Sequence, residues 1–127
     1  MVRPRSGGVQ PTEWDILSTL WDLGSATAGE VTKAIQTRRS WAYSTVKTLL
    51  KRMVNKGLVR ARLRDRVWRF SPVLSREELR RRQWEHFVET AFDGSVIAAL
   101  EFLLSGARLT PRQRRTLKGI VKAKSRR

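Results

Sequence analysis

Directly after Gly57 the apolar residues of this chain change period. Before it, Val46, Leu49, Leu50 and Met53 recur at the three- and four-residue steps of a helix; after it, Leu58, Arg60 and Arg62 alternate with Val59, Ala61 and Leu63 at the two-residue step of a strand. Arg64-Asp65-Arg66 interrupts the alternation, and Val67-Trp68-Arg69-Phe70 resumes it before Pro72. The pattern predicts a hairpin with a basic tip joined by a glycine to the end of a helix.

Upstream, two more helices are expected. Thr12 can cap the first, with Glu13 and Asp15 in its first turn and Trp14, Leu17, Leu20 and Trp21 at helical spacing up to Gly24. Ile16 and Leu23 widen that stripe, so both tryptophans read as core. A shorter helix follows Ser25-Ala-Thr27 and carries Val31 and Ile35 to about Gln36, where Thr37-Arg38-Arg39-Ser40 interrupts it. The third runs from Ser40, as N-cap, with Trp41 at the first helical position, to the stop at Gly57.

That third helix has a second face. Tyr43, Ser44, Lys47, Lys51 and Asn55 project away from the apolar stripe, and the hydroxyls of Ser44, Thr45 and Thr48 lie among Lys47, Lys51 and Arg52. Small hydroxyls among bases suit base edges flanked by phosphates. Taken alone, the same face is equally an ordinary solvated one. Three short helices followed by a two-stranded ribbon, however, is the order of a winged helix-turn-helix, whose third helix enters the major groove while the ribbon lies over the backbone. The expected fold is therefore mainly α with a small β-hairpin, and the expected base-reading residues are Tyr43, Ser44, Thr45, Lys47 and Thr48. Phosphate contacts are expected from Lys33, Lys51, Arg52, Arg64, Arg66 and Arg69.

Charge supports a polyanionic partner. There are 27 Lys plus Arg against 11 Asp plus Glu, a net +16, and the excess is uneven. Gln10 to Thr32 holds acids and no base, whereas Arg108 to Arg127 holds bases and no acid. Membrane surfaces and acidic proteins compete with nucleic acid for such a field, and charge does not choose among them.

Beyond Pro72 the chain is helical and different in kind. Ser75-Arg-Glu-Glu78 is a capping box opening a helix to about Phe92, with Leu79, Trp84, Phe87, Val88 and Ala91 as its apolar set. Asp93-Gly94-Ser95 breaks it, and Val96 to Leu104 is almost wholly apolar. Thr110-Pro-Arg-Gln113 is a second capping box, leading into Leu117, Ile120 and Val121. Such faces need burial. A second copy is the economical cover, giving a homodimer contact through Leu79, Trp84, Phe87, Val88, Val96, Ile97, Leu100, Leu103, Leu104, Leu117, Ile120 and Val121; folding back onto the same chain is the alternative. The expected division is a flexible basic arm over 1–10, a winged helix over 11–73, and a helical dimerisation region with a basic tail over 74–127.

Several chemistries are excluded. The chain has no cysteine, so disulfides and thiolate metal sites are unavailable, and the single histidine, His86, reads as structural beside Trp84 and Phe87. No Gly-rich phosphate loop or nucleophile set is present, so an enzyme is not expected, nor a cofactor, a metal or a small-molecule substrate. The N-terminal MVRPRSGGVQ holds no apolar segment long enough for a signal peptide, no run approaches the roughly 20 apolar residues of a membrane span, and a cytoplasmic protein is expected. The rival function is a basic nucleoid-type or RNA-binding protein without sequence preference.

Four segments carry a family resemblance: Glu13-Trp-Asp-Ile-Leu-Ser-Thr-Leu-Trp-Asp22, Gly29-Glu-Val31, Ser44-Thr-Val-Lys-Thr-Leu-Leu-Lys-Arg-Met53 and Lys56-Gly-Leu-Val59. Over about Thr12 to Leu104 the chain resembles the penicillinase-repressor family, regulators of β-lactamase and methicillin-resistance genes. The resemblance implies an N-terminal winged helix, a C-terminal dimerisation region and repression from a palindromic double-stranded operator. It matches Thr45, Thr48 and Arg52 to the family's recognition-helix positions, and leaves Tyr43, Ser44 and Lys47 where the family varies. Ala42 stands where the family often has a capping serine. Relatives under antibiotic control are cut at an Asn-Phe bond downstream of a membrane sensor protease; the matching stretch here places Glu101, Phe102 and Leu103 at that point. The cysteine cluster of the copper-responsive relatives is missing.

Overall fold

Pro11 at the first helical position starts α1 (Pro11–Leu23) in the computed structural model of the chain, which describes residues 8–106 and 108–125. The N-cap is Gln10, not the expected Thr12. Proline lacks the amide that a first helical residue cannot use, and Glu13 reaches back to accept from the Gln10 amide at 2.8 Å. A two-residue strand β1 (Ala26–Thr27) leads into α2 (Ala28–Ile35), which opens on a reciprocal box. The Glu30 amide donates to Thr27 Oγ1 and the Thr27 amide to Glu30 Oε1.

Helix α3 spans Tyr43–Lys56, two residues later than Ser40 and Trp41 imply. Its N-cap is Ala42, which offers no side-chain bond. The delay has a physical cause. In an earlier helix the Trp41 carbonyl would accept from Thr45, but it accepts from Gln36 Nε2 at 3.0 Å, and the Thr45 amide donates to Ala42 instead. The Trp41 ring is packed against the core, with the Arg39 guanidinium 5.3 Å from its centroid. At the other end Gly57 takes φ 81°, and the Leu58 amide donates to the Met53 carbonyl, a glycine-dependent C-terminal closure.

Strands β2 (Val59–Arg64) and β3 (Val67–Pro72) form the hairpin, and β1 adds to the far edge of β3, giving the antiparallel order β1-β3-β2. The turn is the pair Asp65–Arg66, both at positive φ, as a two-residue hairpin turn requires. Arg64 therefore belongs to β2, paired with Val67, rather than to the interruption. The core gathers Ile16, Leu17 and Leu20 of α1, Val31 and Ile35 of α2, Val46, Leu50 and Met53 of α3, and Val59 of β2. The rings of Trp14 and Trp21 meet at 5.7 Å, tilted by 54°, on its margin, and the Trp21 indole donates to the Leu74 carbonyl.

Helix α4 (Arg76–Phe92) begins at the expected Ser75–Glu78 box, α5 (Val96–Gly106) follows the break at Asp93-Gly94, and α6 (Pro111–Ser125) follows the Thr110–Gln113 box. The chain divides into two units, the first ending at Phe87 and the second beginning at Val88, so α4 starts in one and ends in the other. Leu79, expected at a subunit contact, is instead buried in the core of the first unit, and Gln83 accepts from the Val9 amide at 3.0 Å. In the second unit Val88 and Ala99 are buried, and the rings of Phe92 and Phe102 meet at 5.6 Å. The basic arm expected over 1–10 lies outside the described residues for 1–7, as do Arg126 and Arg127 of the tail.

Candidate nucleic-acid interface

The buried stripe of α3 fixes what its other face presents. Val46, Leu50 and Met53 are fully buried, so the helical period turns Ser44, Thr48, Lys51 and Asn55 to the opposite side, and all four are exposed. Thr45 and Arg52 flank them on one side, beside a groove lined by Thr12, Trp41 and Leu49. Tyr43 and Lys47 flank them on the other, the Lys47 ammonium 5.5 Å from the Tyr43 ring. Thr48 Oγ1 donates to the Ser44 carbonyl at 3.0 Å, which commits its proton and leaves the hydroxyl an acceptor towards solvent. The five residues expected to read bases are thus brought onto one exposed surface, along with Lys51 and Arg52.

Ion pairs to α1 hold the end of this helix and the connection that precedes it. Lys56 Nζ contacts both oxygens of Glu13, at 2.9 and 3.0 Å, and Glu13 is 2 % exposed. Near the start of α3, Asp15 of α1 accepts from Arg39 Nε at 2.7 Å and lies 3.9 Å from Arg38. Two bases of the positive block thus serve at least partly to hold the α2–α3 connection.

The remaining phosphate candidates fall on α2 and the wing. Lys33 is exposed on α2 and lines a concavity with Arg69. Arg69 is braced: its guanidinium donates to Ser25 Oγ, to the Ser25 carbonyl and, at 3.4 Å, to Glu30. Arg64 and Arg66 are exposed at the hairpin tip. Among the described residues no cluster of histidine, cysteine and acidic side chains could hold a metal ion, and no helix is long and apolar enough to cross a membrane.

Residues 9–123 match the model of the family described as penicillinase repressor. The chain belongs to that family. It is 20 % identical over 86 residues to the methicillin resistance regulatory protein MecI of Mammaliicoccus sciuri, covering 68 % of this chain and 70 % of that protein. It is 38 % identical over 65 residues to the transcriptional regulator BlaI of Mycobacterium tuberculosis, covering 50 % of this chain and 47 % of that one. The fold is similar to that of the Bacillus licheniformis BlaI monomer solved with the blaP half-operator, at TM-score 0.50 and 22 % identity over 56 % of this chain and 87 % of that one. These penicillinase repressor relatives are transcriptional regulators, not enzymes.

Asn55 shares the exposed face of α3 with Thr48, where the helical spacing of the sequence already puts it. Two features of this family member escape the sequence reading of the site. Leu63 and Trp68 are directly paired across the hairpin near its tip and stay exposed. Arg60 and Arg62 fall on the same side of the sheet as Arg64, a parity visible in the alternation. In the second unit Glu101, Phe102 and Leu103 lie within α5 and are exposed, Phe102 at 68 %. Val96, Ile97, Leu104, Ile120 and Val121 are exposed too, as are Trp84 and Phe87 of α4, while Leu100 and Leu117 are half-buried.

Proposed function

We propose that this chain is a DNA-binding transcriptional repressor that sits on a palindromic operator as a homodimer. The observation that carries the reading is the division of α3: one face is locked into the core and to Glu13, and the other offers hydroxyls, an amide and bases to solvent. Tyr43, Ser44, Thr45, Lys47 and Thr48 read base edges in the major groove. Lys33, Lys51, Arg52, Arg64, Arg66 and Arg69 meet phosphates, which supply most of the affinity and make it salt-dependent. The resemblance in fold to a repressor solved on a half-operator supports the same docking here.

The dimer is supported by the second unit, where Ile97, Phe102, Leu103, Leu104, Ile120 and Val121 are all exposed on three turns of α5 and on α6. Apolar surface so concentrated is unusual on a monomer. Relief of repression comes from an upstream signal, such as a cut by a membrane-linked sensor protease near Glu101, Phe102 and Leu103. Those residues are in a helix, so the segment must unwind to enter a protease.

The absence of acids from α6 favours a second reading, in which the protein coats nucleic acid without sequence preference. Selection from a random duplex pool at about 0.15 M salt, where the screening length is about 8 Å, separates the two. A two-fold motif with half-sites about one helical turn apart supports the repressor. No enriched motif, with binding that collapses as salt rises, supports the coat protein.

A further inference from the structure

The sheet of the winged unit has two faces of opposite character. Val59 is in the core and Phe70 packs against it, and Ala61, paired with Phe70, shares their face of the sheet. On the other face the strand register aligns Arg60, Arg62 and Arg64 of β2, with Arg69 directly opposite Arg62 on β3. These four guanidiniums, with Ser25 and Ser71, line one concavity. Like charges directly opposed across a sheet are destabilising. Only Glu30 offsets them among the described residues, and it is 3.4 Å from Arg69 alone. Arg60, Arg62 and Arg64 have no ion pair there.

We infer that Arg60 and Arg62 extend the phosphate contacts of Arg64 and Arg69 along the wing, gripping DNA that flanks the operator half-site. Two properties select that occupant. Alternate residues of a strand recur every ~6.8 Å, so Arg60, Arg62 and Arg64 form a line of charge rather than a knot. A line suits successive phosphates of one nucleic-acid strand, whereas a compact anion would reach one or two of the groups. The row also faces away from α3, so the phosphates it meets lie beyond the wing from the groove that α3 enters. The inference rests on the repressor reading for the word operator, but not for the contact itself.

The test compares full-length protein with the double variant Arg60→Gln/Arg62→Gln on two duplexes, one trimmed to the selected motif and one extended by about a turn on each side. On the extended duplex the variant's salt slope falls by about one unit per arginine per protomer. On the trimmed duplex the slope matches wild type, and Arg60→Lys/Arg62→Lys keeps the wild-type slope on both. An unchanged slope on the extended duplex overturns the inference, as does an equal fall on the trimmed one. Displacement of the flank-dependent binding by inorganic phosphate at constant ionic strength would assign the row to a compact anion instead. Should selection return no motif, the repressor reading fails, yet the same slopes are measurable on random duplexes of the two lengths.

Discussion

Lys56, the last residue of α3, places its ammonium 2.9 Å from the carboxylate of Glu13 in the first turn of α1. The helix that presents the proposed reading face is thereby tied to the first helix of the fold by a charge pair whose acid is inside the core. Lys56→Met leaves that acid buried with the Gln10 amide as its one remaining partner among the described residues. The expected loss is about 1–3 kcal/mol in urea denaturation, below that of a fully enclosed pair because the Lys56 side chain is 28 % exposed. Adding Glu13→Gln to Lys56→Met recovers part of it. A double variant no better than the single one would mean that the pair contributes packing and not charge.

Thr48 and Arg64 separate sequence reading from attraction. Thr48→Ala removes an acceptor and a methyl group from the exposed face of α3, and the preferred motif changes while the salt slope holds. Arg64→Ala weakens binding to operator and random duplex alike and lowers the slope by about one unit per protomer. Equal losses on both duplexes for both variants would show that α3 does not discriminate bases.

Ile97, on α5, is 65 % exposed. Ile97→Glu places a charge on the proposed dimer surface without opening a cavity in the chain, so the variant sediments as a folded monomer and its affinity for a full palindrome approaches that for a half-site. A variant that remains dimeric at micromolar concentration excludes this part of α5 from the contact.

Glu78 carries a pH signature. Hydrogen bonds from the Ser75 amide and hydroxyl hold its carboxyl below the ordinary carboxylate value. Because the native value is the lower one, the stabilisation is complete above the unfolded-state value and disappears as pH falls through the native one. Stability curves of wild type and Glu78→Gln therefore converge in acid and separate towards neutrality. Parallel curves over that range would leave the cap without ionic character.

Most of the helical order is legible in the sequence, because capping boxes and three-to-four spacing are local signals. Thr27–Glu30, Ser75–Glu78 and Thr110–Gln113 need no distant partner. What escapes is decided by contact. Strand β1 exists only because Ala26 and Thr27 pair with Phe70 and Arg69, more than forty residues away. The start of α3 moves because Gln36 takes the Trp41 carbonyl, which outweighs the capping preference of Ser40. Leu79 reads as one of a helical stripe with Val88, yet the core of the first unit claims it. The exposed face of α3 proposed for readout is legible as a periodicity, whereas the bracing of Arg39 and Arg69 by Asp15, Ser25 and Glu30 is not, since no spacing rule links those positions.

The burial of Leu79 in the first unit has a consequence for how control would end. A break between Glu101 and Leu103 removes no residue from the core around α3, so each reading head keeps its shape. What changes is arithmetic. Two linked heads meet their half-sites at an effective concentration in the millimolar range, whereas separated heads meet them at whatever concentration the cell holds. Derepression would then be a loss of avidity, with every base contact still intact in the heads that drift away.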